Sequence, residues 1–546
     1  MFNNSNKKLF YQIPAAGILY SLSFPPLDLY YLIFFSFVLI IDIIINSESA
    51  RQVLFRSYSV FFIAALVGVS WIGLSGMREN ADRFLIAGGI FVLLVYPLFF
   101  VLPSFLFYLL KKNFNSSGKK IFALFTFPFL WTGFEYLQTF GQINFPWLFA
   151  GNSQTFNLSK IQYAEYTGVF GVTFWICILS VLLYVLFKNI KNPENKNIIH
   201  WKNIIAALAI LIIFFLPDVF NSLNTKIYPE EGKIKIGIVQ PNINPWEKWS
   251  GKRNELLPGY IEQINSIKSE HPDAGLIILP ETALPYYFRE RMFEDRLSSL
   301  VNVCDSIETP ILIGTPDLVY YEDQNSAPVD AKLMKSSGLK YDTYNSAVLF
   351  EPEINPDNFQ KHQKIKLVIG SERMPYQEFL TFTKSIVSWG VGLSSWQIGN
   401  DTNIFYLPGD VKFNTAICYE SVYPEFFAGF VNKGAEFSVI ITNDGWWGKL
   451  FGTYQHNRFA VFRAIENRRW IARCANTGIS DFIDPYGNYY LETRINEKAN
   501  IIHEVGLINR RTFYTENGDV FSKGCLIISL LLFTMSFFYK RENKKL

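Results

Sequence analysis

Apolar runs of about 20 residues, the length a helix needs to cross a hydrocarbon layer, crowd both ends of this 546-residue chain and leave a long polar segment between them. Candidate spans fall at roughly 8–24, 28–46, 57–76, 84–110, 121–138, 169–187, 203–221 and 520–539. The first run stops at Phe24-Pro25-Pro26 without a cleavage-site pattern and reads as a retained helix. The run 84–110 has room to tilt, or to kink at Pro97 or Pro103. The expected organisation is a transmembrane domain of about seven helices at 1–224, a water-soluble domain at 225–519, and a final helix with a basic tail at 520–546. A content of 50% hydrophobic and only 18% charged residues agrees with this division.

Basic residues in short loops set the expected orientation. One side of eight spans collects Lys7 and Lys8, Arg51 and Arg56, Lys111, Lys112, Lys119 and Lys120, then Lys188, Lys191, Lys196, Lys202 and the tail KRENKKL. The other side has only Arg78, Arg83 and Lys160. Both termini are therefore expected in the cytoplasm and 225–519 outside it. The loop from Trp131 to Gln154 mixes aromatics with Glu135, Gln138, Asn144 and Asn152. It reads as an interfacial aromatic belt, with a lipid-contacting rim near a site as the alternative.

Several classes drop out. A net charge of +3, with no basic block interleaved with aromatics, argues against nucleic acid. Cys177, Cys304, Cys418, Cys474 and Cys525 show no CxxC spacing, and the five His are scattered, so neither a disulfide framework, a metal centre nor a cofactor is implied.

Within the polar segment, IKIGIVQ (234–240), LIILP (276–280), ILIG (311–314), SAVLF (346–350), NTAIC (414–418), FSVIIT (437–442) and WIARCANTG (470–478) read as buried strands. ELLPGYIEQINSIKSE and NRFAVFRAIENRRW carry helical periodicity, so the domain is expected to be a layered α/β fold. Two of these stretches lead to a reactive residue, Glu281 and Cys418, and KHQK (361–364) ends on a third, Lys364. Singly, each has a plain reading: an acid at a helix start, a solvated basic face, a small buried hydrophobe. Together, a carboxylate, an ammonium and a thiol are the parts of an activated nucleophile with its base and oxyanion partner.

The motifs around them are more specific. VQPN (239–242), Lys248-Trp249, LPETALP (279–285), KIKLVIGSERMP (364–375), ICYESVYP (417–424), TNDGWWG (442–448), QHNRFAVFRAIENRR (455–469), ANTGIS (475–480) and TFYTENGD (512–519) resemble the apolipoprotein N-acyltransferases, the membrane-bound branch of the nitrilase superfamily. LSFPPLDLYYL (22–32) and FPW (145–147) extend the resemblance over nearly the whole chain. It implies a nitrilase-like αββα sandwich on a helical membrane domain, with Glu281, Lys364 and Cys418 as the catalytic triad. It also implies supporting roles for Glu372, Glu420, Tyr419 and Trp249. Two departures stand out. The stretch before the second glutamate is Val368-Ile369-Gly370-Ser371, and the expected acid–base pair near FPW reads Glu135 and Gln138.

By this resemblance, a phospholipid donates an acyl chain to the Cys418 thiol, and the α-amino group of a diacylglyceryl-modified lipoprotein cysteine accepts it. The catalytic domain would lie on the periplasmic side of a bacterial inner membrane. Trp446, Trp447 and Phe451 are candidates for an apolar lid, with core packing as the alternative. Competing readings are a membrane-anchored amidase that releases the acyl group to water, and a non-catalytic transporter or receptor. Asp42, near a helix end, is the lone mid-run acid, which gives an ion pathway little support.

Overall fold

The computed structural model describes residues 4–79, 81–115, 120–191, 201–224, 228–248, 255–288, 290–353, 358–379 and 396–542. The chain divides into two compact units, one of Met1–Leu74, Ile86–Ile227 and Asn517–Leu546, the other of Ser75–Leu85 and Tyr228–Glu516. The segment Ser75–Leu85, which composition counts with the apolar stretch, thus belongs with the α/β unit.

Among the described residues, five helices are long and apolar enough to cross a membrane: Ala50–Ser75, Phe84–Phe114, Ala164–Lys191, Trp201–Leu223 and Val520–Phe538. Three of the eight expected spans are not among them, for local reasons. The helix Asn4–Leu22 spends its first turns on Asn4, Asn6, Lys7, Lys8 and Gln12. The run 28–46 is helical only over the 14 residues Leu32–Ile45, because Asp28–Tyr31 forms turns. The run 121–138 is broken into Lys120–Leu124 and Phe127–Leu137. Pro128 opens the second piece and has no N–H to offer the Leu124 carbonyl, so one helix cannot run through.

Aromatic packing fills the first unit. Phe61 and Phe100 stack at 4.5 Å, Trp131 meets Phe37 edge-on at 5.1 Å, and Tyr20 joins Phe37, Phe61 and Phe100. Trp131, Trp147 and Phe149 are buried, so this part of the 131–154 loop is core and not an interfacial belt. Glu135 turns inward as well. Its carboxylate accepts from Trp131 Nε1 at 3.1 Å, Ala150 N at 2.9 Å and Thr173 Oγ1 at 2.6 Å, which ties the loop's end to two helices.

The second unit holds, among the described residues, two sheets. The strands are β1 (Gly232–Gln240), β2 (Leu276–Ile278), β3 (Ile311–Tyr320), β4 (Lys332–Leu333), β5 (Lys340–Phe350), β6 (Gln360–Gln363), β7 (Ile404–Leu407), β8 (Val411–Ile417), β9 (Phe437–Thr442), β10 (Ile471–Ala475), β11 (Asp481–Ile483), β12 (Tyr489–Tyr490) and β13 (Ala499–Leu507). The first sheet runs β13-β1-β2-β3-β5-β4 with β6 on β5, the second β12-β11-β10-β9-β8-β7. Each has a parallel centre, β1-β2-β3 or β8-β9-β10, flanked by antiparallel strands.

The period-2 alternation of side chains sorts the core into layers. Ile236, Ile238, Leu276, Ile278 and Leu312 of one sheet meet Ile417, Val439, Ile441, Ala472 and Cys474 of the other. The alternate residues Val239, Ile277, Leu279, Ile311 and Ile313 face outward onto the helices Leu256–Glu270 and Glu294–Ile307. Ala416, Ile440 and Ile471 do the same toward Pro424–Asn432 and Phe451–Asn467. The result is the αββα sandwich. Strands buried on both faces lose their polar alternation, which is why the central strands read as plain apolar runs.

Across β7, β8 and β9, Phe413 stacks between Phe405 at 5.1 Å and Phe437 at 5.2 Å. Phe413→Ala is predicted to cost about 3–5 kcal/mol, read as a lowered unfolding midpoint of the purified protein in detergent. A midpoint equal to wild type would place Phe413 outside the core.

Candidate active site

Each triad candidate sits just past the end of a strand. Glu281 follows β2 after Leu279-Pro280, and Gly314 of β3 makes room for it: a Cβ there would lie 2.6 Å from the Glu281 Cα. Lys364 follows β6, its N–H donating to the Asn345 carbonyl at 2.8 Å. Cys418 follows β8 and opens the 3-10 turn Cys418–Val422. Its φ of +52° is left-handed backbone, costing about 1–3 kcal/mol outside glycine, so surrounding bonds must hold it. Ser421 Oγ donates to the Cys418 carbonyl at 2.7 Å, and Ile417 N–H donates to Glu420 at 2.8 Å.

Lys364 is the centre of the cluster. Its Nζ donates to Glu281 Oε1 and Glu372 Oε1, both at 2.9 Å. Asn345 Nδ2 repeats the pattern, reaching Glu281 Oε1 at 2.8 Å and Glu372 Oε1 at 3.0 Å. Lys364 is 1% exposed, Glu281 5% and Cys418 7%, so these charges interact with little screening. Burial alone would lower the Lys364 pKa, but Glu281, Glu372 and Cys418 outweigh it and hold the ammonium well above the ordinary lysine range. Burial pushes Glu372 up against the pull of Lys364. Burial, reinforced by the Glu281 charge, also pushes the Cys418 thiol well above its usual range. The raised pKa favours the thiol form of Cys418 over the thiolate. An ammonium has three N–H groups. With two on carboxylates, Lys364 has one left for an oxyanion.

Glu372 arrives by a tight turn. Glu372 N–H donates to the Val368 carbonyl at 3.0 Å, Gly370 N–H to the Arg373 carbonyl at 2.9 Å, and Val368 N–H returns to Glu372 Oε2 at 2.8 Å. Gly370 supplies the φ of +79° that this turn needs. Arg373 anchors it on Asp330 at 2.5 Å. The atypical stretch Val368–Ser371 therefore delivers Glu372 to Lys364.

Glu420 is a brace. One oxygen accepts from Ile365 N–H at 2.7 Å, and the other from His362 Nε2 at 3.0 Å and Ile417 N–H at 2.8 Å. It joins the strand leading to Lys364 with the one leading to Cys418. Tyr419 is buried against Tyr423, with ring centroids 5.3 Å apart. Trp249 lies outside the described residues. Its neighbour Lys248 is 1% exposed, donates to Thr282 Oγ1 at 2.9 Å and lies 3.4 Å from the Glu281 carbonyl oxygen. Burial lowers the Lys248 pKa to about 7, with the Glu281 charge opposing.

A second polar layer lies behind the nucleophile. His456 Nε2 is 3.1 Å from both the Cys418 carbonyl oxygen and Ser421 Oγ, and Nδ1 donates to Asp444 Oδ1 at 2.8 Å. Thr442 Oγ1 also reaches Asp444 Oδ1 at 2.7 Å, and Arg473 takes Oδ2 at 2.6 Å. Burial would raise Asp444, but Arg473 and His456 hold it well below the carboxylate range. Cys418, Asp444 and His456 come within 4.8 Å of one another, a grouping that invites a metal reading. The chemistry does not fit it: the Asp444 and His456 ligand atoms are already hydrogen-bonded, and the Arg473 guanidinium sits 3.2 Å from His456 Nδ1. The layer supports the elbow.

Trp446 and Trp447 are half-buried, Trp446 edge-on to Trp246 at 4.7 Å and Trp447 to His456 at 5.7 Å. Arg78, from Ser75–Leu85, donates to the Gly445 carbonyl at 2.7 Å and the Trp446 carbonyl at 3.2 Å. Sequence reasoning missed Asn345, His362, Asp444, His456, Arg473 and Arg78 as parts of the site. Only Asp444 and His456 carried a local signal, in TNDGWWG and QHNRF.

Burial would raise Glu420, yet His362 and the backbone N–H groups bring it below the ordinary carboxylate value. As pH falls the unfolded chain takes up this proton first, so the brace is intact at neutral pH and fades as pH drops from the ordinary carboxylate range through the lower folded value. Glu420→Ala is predicted to cost about 3–5 kcal/mol at pH 7 by leaving His362 and buried N–H groups unpaired. In unfolding scans from pH 7 to 3, its midpoint should fall less steeply than that of wild type. Parallel curves would remove Glu420 from the acid response.

Comparison with known proteins agrees with this architecture. Residues 16–182 match the family described as apolipoprotein N-acyltransferase N-terminal domain, and residues 235–508 match carbon-nitrogen hydrolase. A Chlorobaculum tepidum protein named apolipoprotein N-acyltransferase is 32% identical over 544 residues, 98% of this chain and 97% of that one. A Geobacter metallireducens protein of the same name is 28% identical, over 96% of this chain and 94% of that one. One from Aquifex aeolicus is 31% identical, over 86% and 93%. Matched end to end with such relatives and carrying both domain families, the chain belongs to the apolipoprotein N-acyltransferase family.

Proposed function

We propose that this protein moves a fatty acyl chain from a membrane phospholipid, through a thioester on Cys418, to the α-amino group of the diacylglyceryl-cysteine that begins a lipoprotein. The observation that carries the reading is the buried Lys364 ammonium held between Glu281 and Glu372, in a chain of this family that also has a Cys418 elbow. Glu281 takes the Cys418 proton as sulfur attacks the ester carbonyl. The developing oxyanion meets the third Lys364 N–H and the Tyr419 backbone N–H at the head of the 3-10 turn. Collapse breaks the ester C–O bond, and the leaving lysophospholipid oxygen takes the proton back from Glu281. In the second half the acceptor amine attacks the thioester, Glu281 receives its proton, and the cysteine leaves and is reprotonated. No water is consumed.

Glu372 and Asn345 position Lys364 and Glu281 and are not proton carriers. Lys248 holds the backbone and Thr282 beside the base. A supporting role for Trp249, which lies outside the described residues, rests on the family resemblance alone. The apolar stretches at 1–224 and 520–546 form the membrane domain, and 225–519 works on the periplasmic face of a bacterial inner membrane with both termini cytoplasmic. Short-loop charge supports that orientation.

The test is intact-protein mass spectrometry after incubation with phospholipid. Wild type should gain one acyl chain on Cys418, and Cys418→Ala and Glu281→Gln should gain none. Lys364→Met should acylate about 10²–10³-fold more slowly, the usual cost of one oxyanion donor. Normal acylation of Glu281→Gln would contradict the base assignment. A wild type that never acylates would favour a non-catalytic role.

A further inference from the structure

The helical unit contains a second amphipathic feature, separate from the acyl-transfer chemistry. A cavity of about 740 Å³ opens between the helices Asn4–Leu22, Leu32–Ile45 and Ala164–Lys191. Its walls are apolar, among them Leu19, Val38, Leu39, Leu183, Leu186 and Phe187. The lining runs from Leu32 to Asp42 along one helix, about 15 Å at 1.5 Å per residue. That is a slot for a hydrocarbon chain.

One end of the slot is cationic. Asp42 accepts from Lys8 Nζ at 2.7 Å, Lys188 Nζ at 2.9 Å, Gln12 Nε2 at 2.9 Å and Asn46 Nδ2 at 2.8 Å. Four donors saturate a carboxylate. Two ammonium groups therefore share one negative charge, and Lys8 and Lys188 remain 50% and 40% exposed at their side chains. Lys191 adds a third. It lies over the Phe187 ring at 4.1 Å and makes no ion pair among the described residues. Positive charge is left over at the mouth of an apolar slot, which complements an anionic headgroup with its acyl chain below. A zwitterionic headgroup would bring a cation into the same place.

We propose that this slot is a binding site for one anionic phospholipid of the surrounding membrane, held by Lys8, Lys188 and Lys191 at its phosphate and by the Leu19–Leu39–Leu186 wall at a chain. The inference rests on the first unit being membrane-embedded and not on the reaction at Cys418. Gln12 and Asn46 keep Asp42 hydrogen-bonded if a lysine is removed, so lysine variants leave the helix packing in place.

The experiment is a native mass spectrometry titration of the full-length protein in neutral detergent. Its ligands are phosphatidylglycerol and phosphatidylcholine of identical chains, with inorganic phosphate as a third. Wild type should prefer the anionic lipid. Lys191→Gln should weaken that lipid by about fivefold, the usual worth of one interfacial lysine, and Lys8→Gln/Lys191→Gln should bind both lipids equally. Leu39→Trp, which fills the slot, should lose the bound lipid altogether. Phosphate alone should show no binding at lipid concentrations, since the chain is half of the recognition. Equal binding of the two lipids by wild type overturns the proposal. So does a preference that survives in the double lysine variant or in Leu39→Trp, or saturation by phosphate alone. Acylation of Cys418, followed in the same samples, should persist in every variant. Loss of acylation in wild type would sink the acyl-transfer reading and leave the lipid result standing.

Discussion

A lysine ammonium buried at 1% exposure is costly without paired charge. Lys364 holds Glu281 and Glu372 at 2.9 Å each, and Asn345 holds the same two carboxylates from the next strand. Loss of either acid would take one of the two carboxylate partners from the buried ammonium. Two carboxylates already face one ammonium, so a Cys418 thiolate would add a further negative charge, and burial reinforced by Glu281 raises the thiol pKa.

The sandwich provides the geometry for this. In the first sheet β2 and β6 end shortly before Glu281 and Lys364 and β5 carries Asn345 mid-strand, while in the second β8 ends at Cys418. Glu420 then couples the sheets by accepting from His362 and Ile365 on one side and Ile417 on the other. Beneath the elbow, Arg473 and His456 hold the Asp444 carboxylate, and His456 Nε2 lies 3.1 Å from the Cys418 carbonyl oxygen. Bonds such as that from Ser421 Oγ to the Cys418 carbonyl help sustain the left-handed φ at Cys418.

Much of the α/β unit was legible because strands buried on both faces are continuous apolar runs, and two of them lead to reactive residues, Glu281 and Cys418. The edge strands were not. β13 carries Asn500, His503 and Glu504 on a half-solvated surface, yet it pairs with β1 over nine residues. Its register depends on a partner more than 250 residues away, which local pattern cannot show. The second polar layer was hidden for the same reason: Cys418, Asp444, His456 and Arg473 come from four different elements. Helix lengths were less legible for short-range reasons, since Pro128 and the turn at Asp28–Tyr31 shorten helices in runs that look continuous in hydropathy. The Val368–Ser371 stretch looked like a weakness because it departs from its family. Its turn is held by backbone bonds and one glycine, so side-chain identity there matters little.

The central claim is that the buried cluster of Lys364, Glu281 and Glu372 makes Cys418 a carrier of an acyl chain and not a hydrolytic intermediate. The direct measurement is the fate of the preformed thioester: acylate the protein with phospholipid, remove excess lipid, and follow the adduct mass in buffer with and without a diacylglyceryl-cysteinyl peptide. The account predicts an adduct that persists in buffer and discharges onto the peptide amine, giving an N-acylated peptide in equal amount. Release of free fatty acid at the same rate with and without peptide would contradict it.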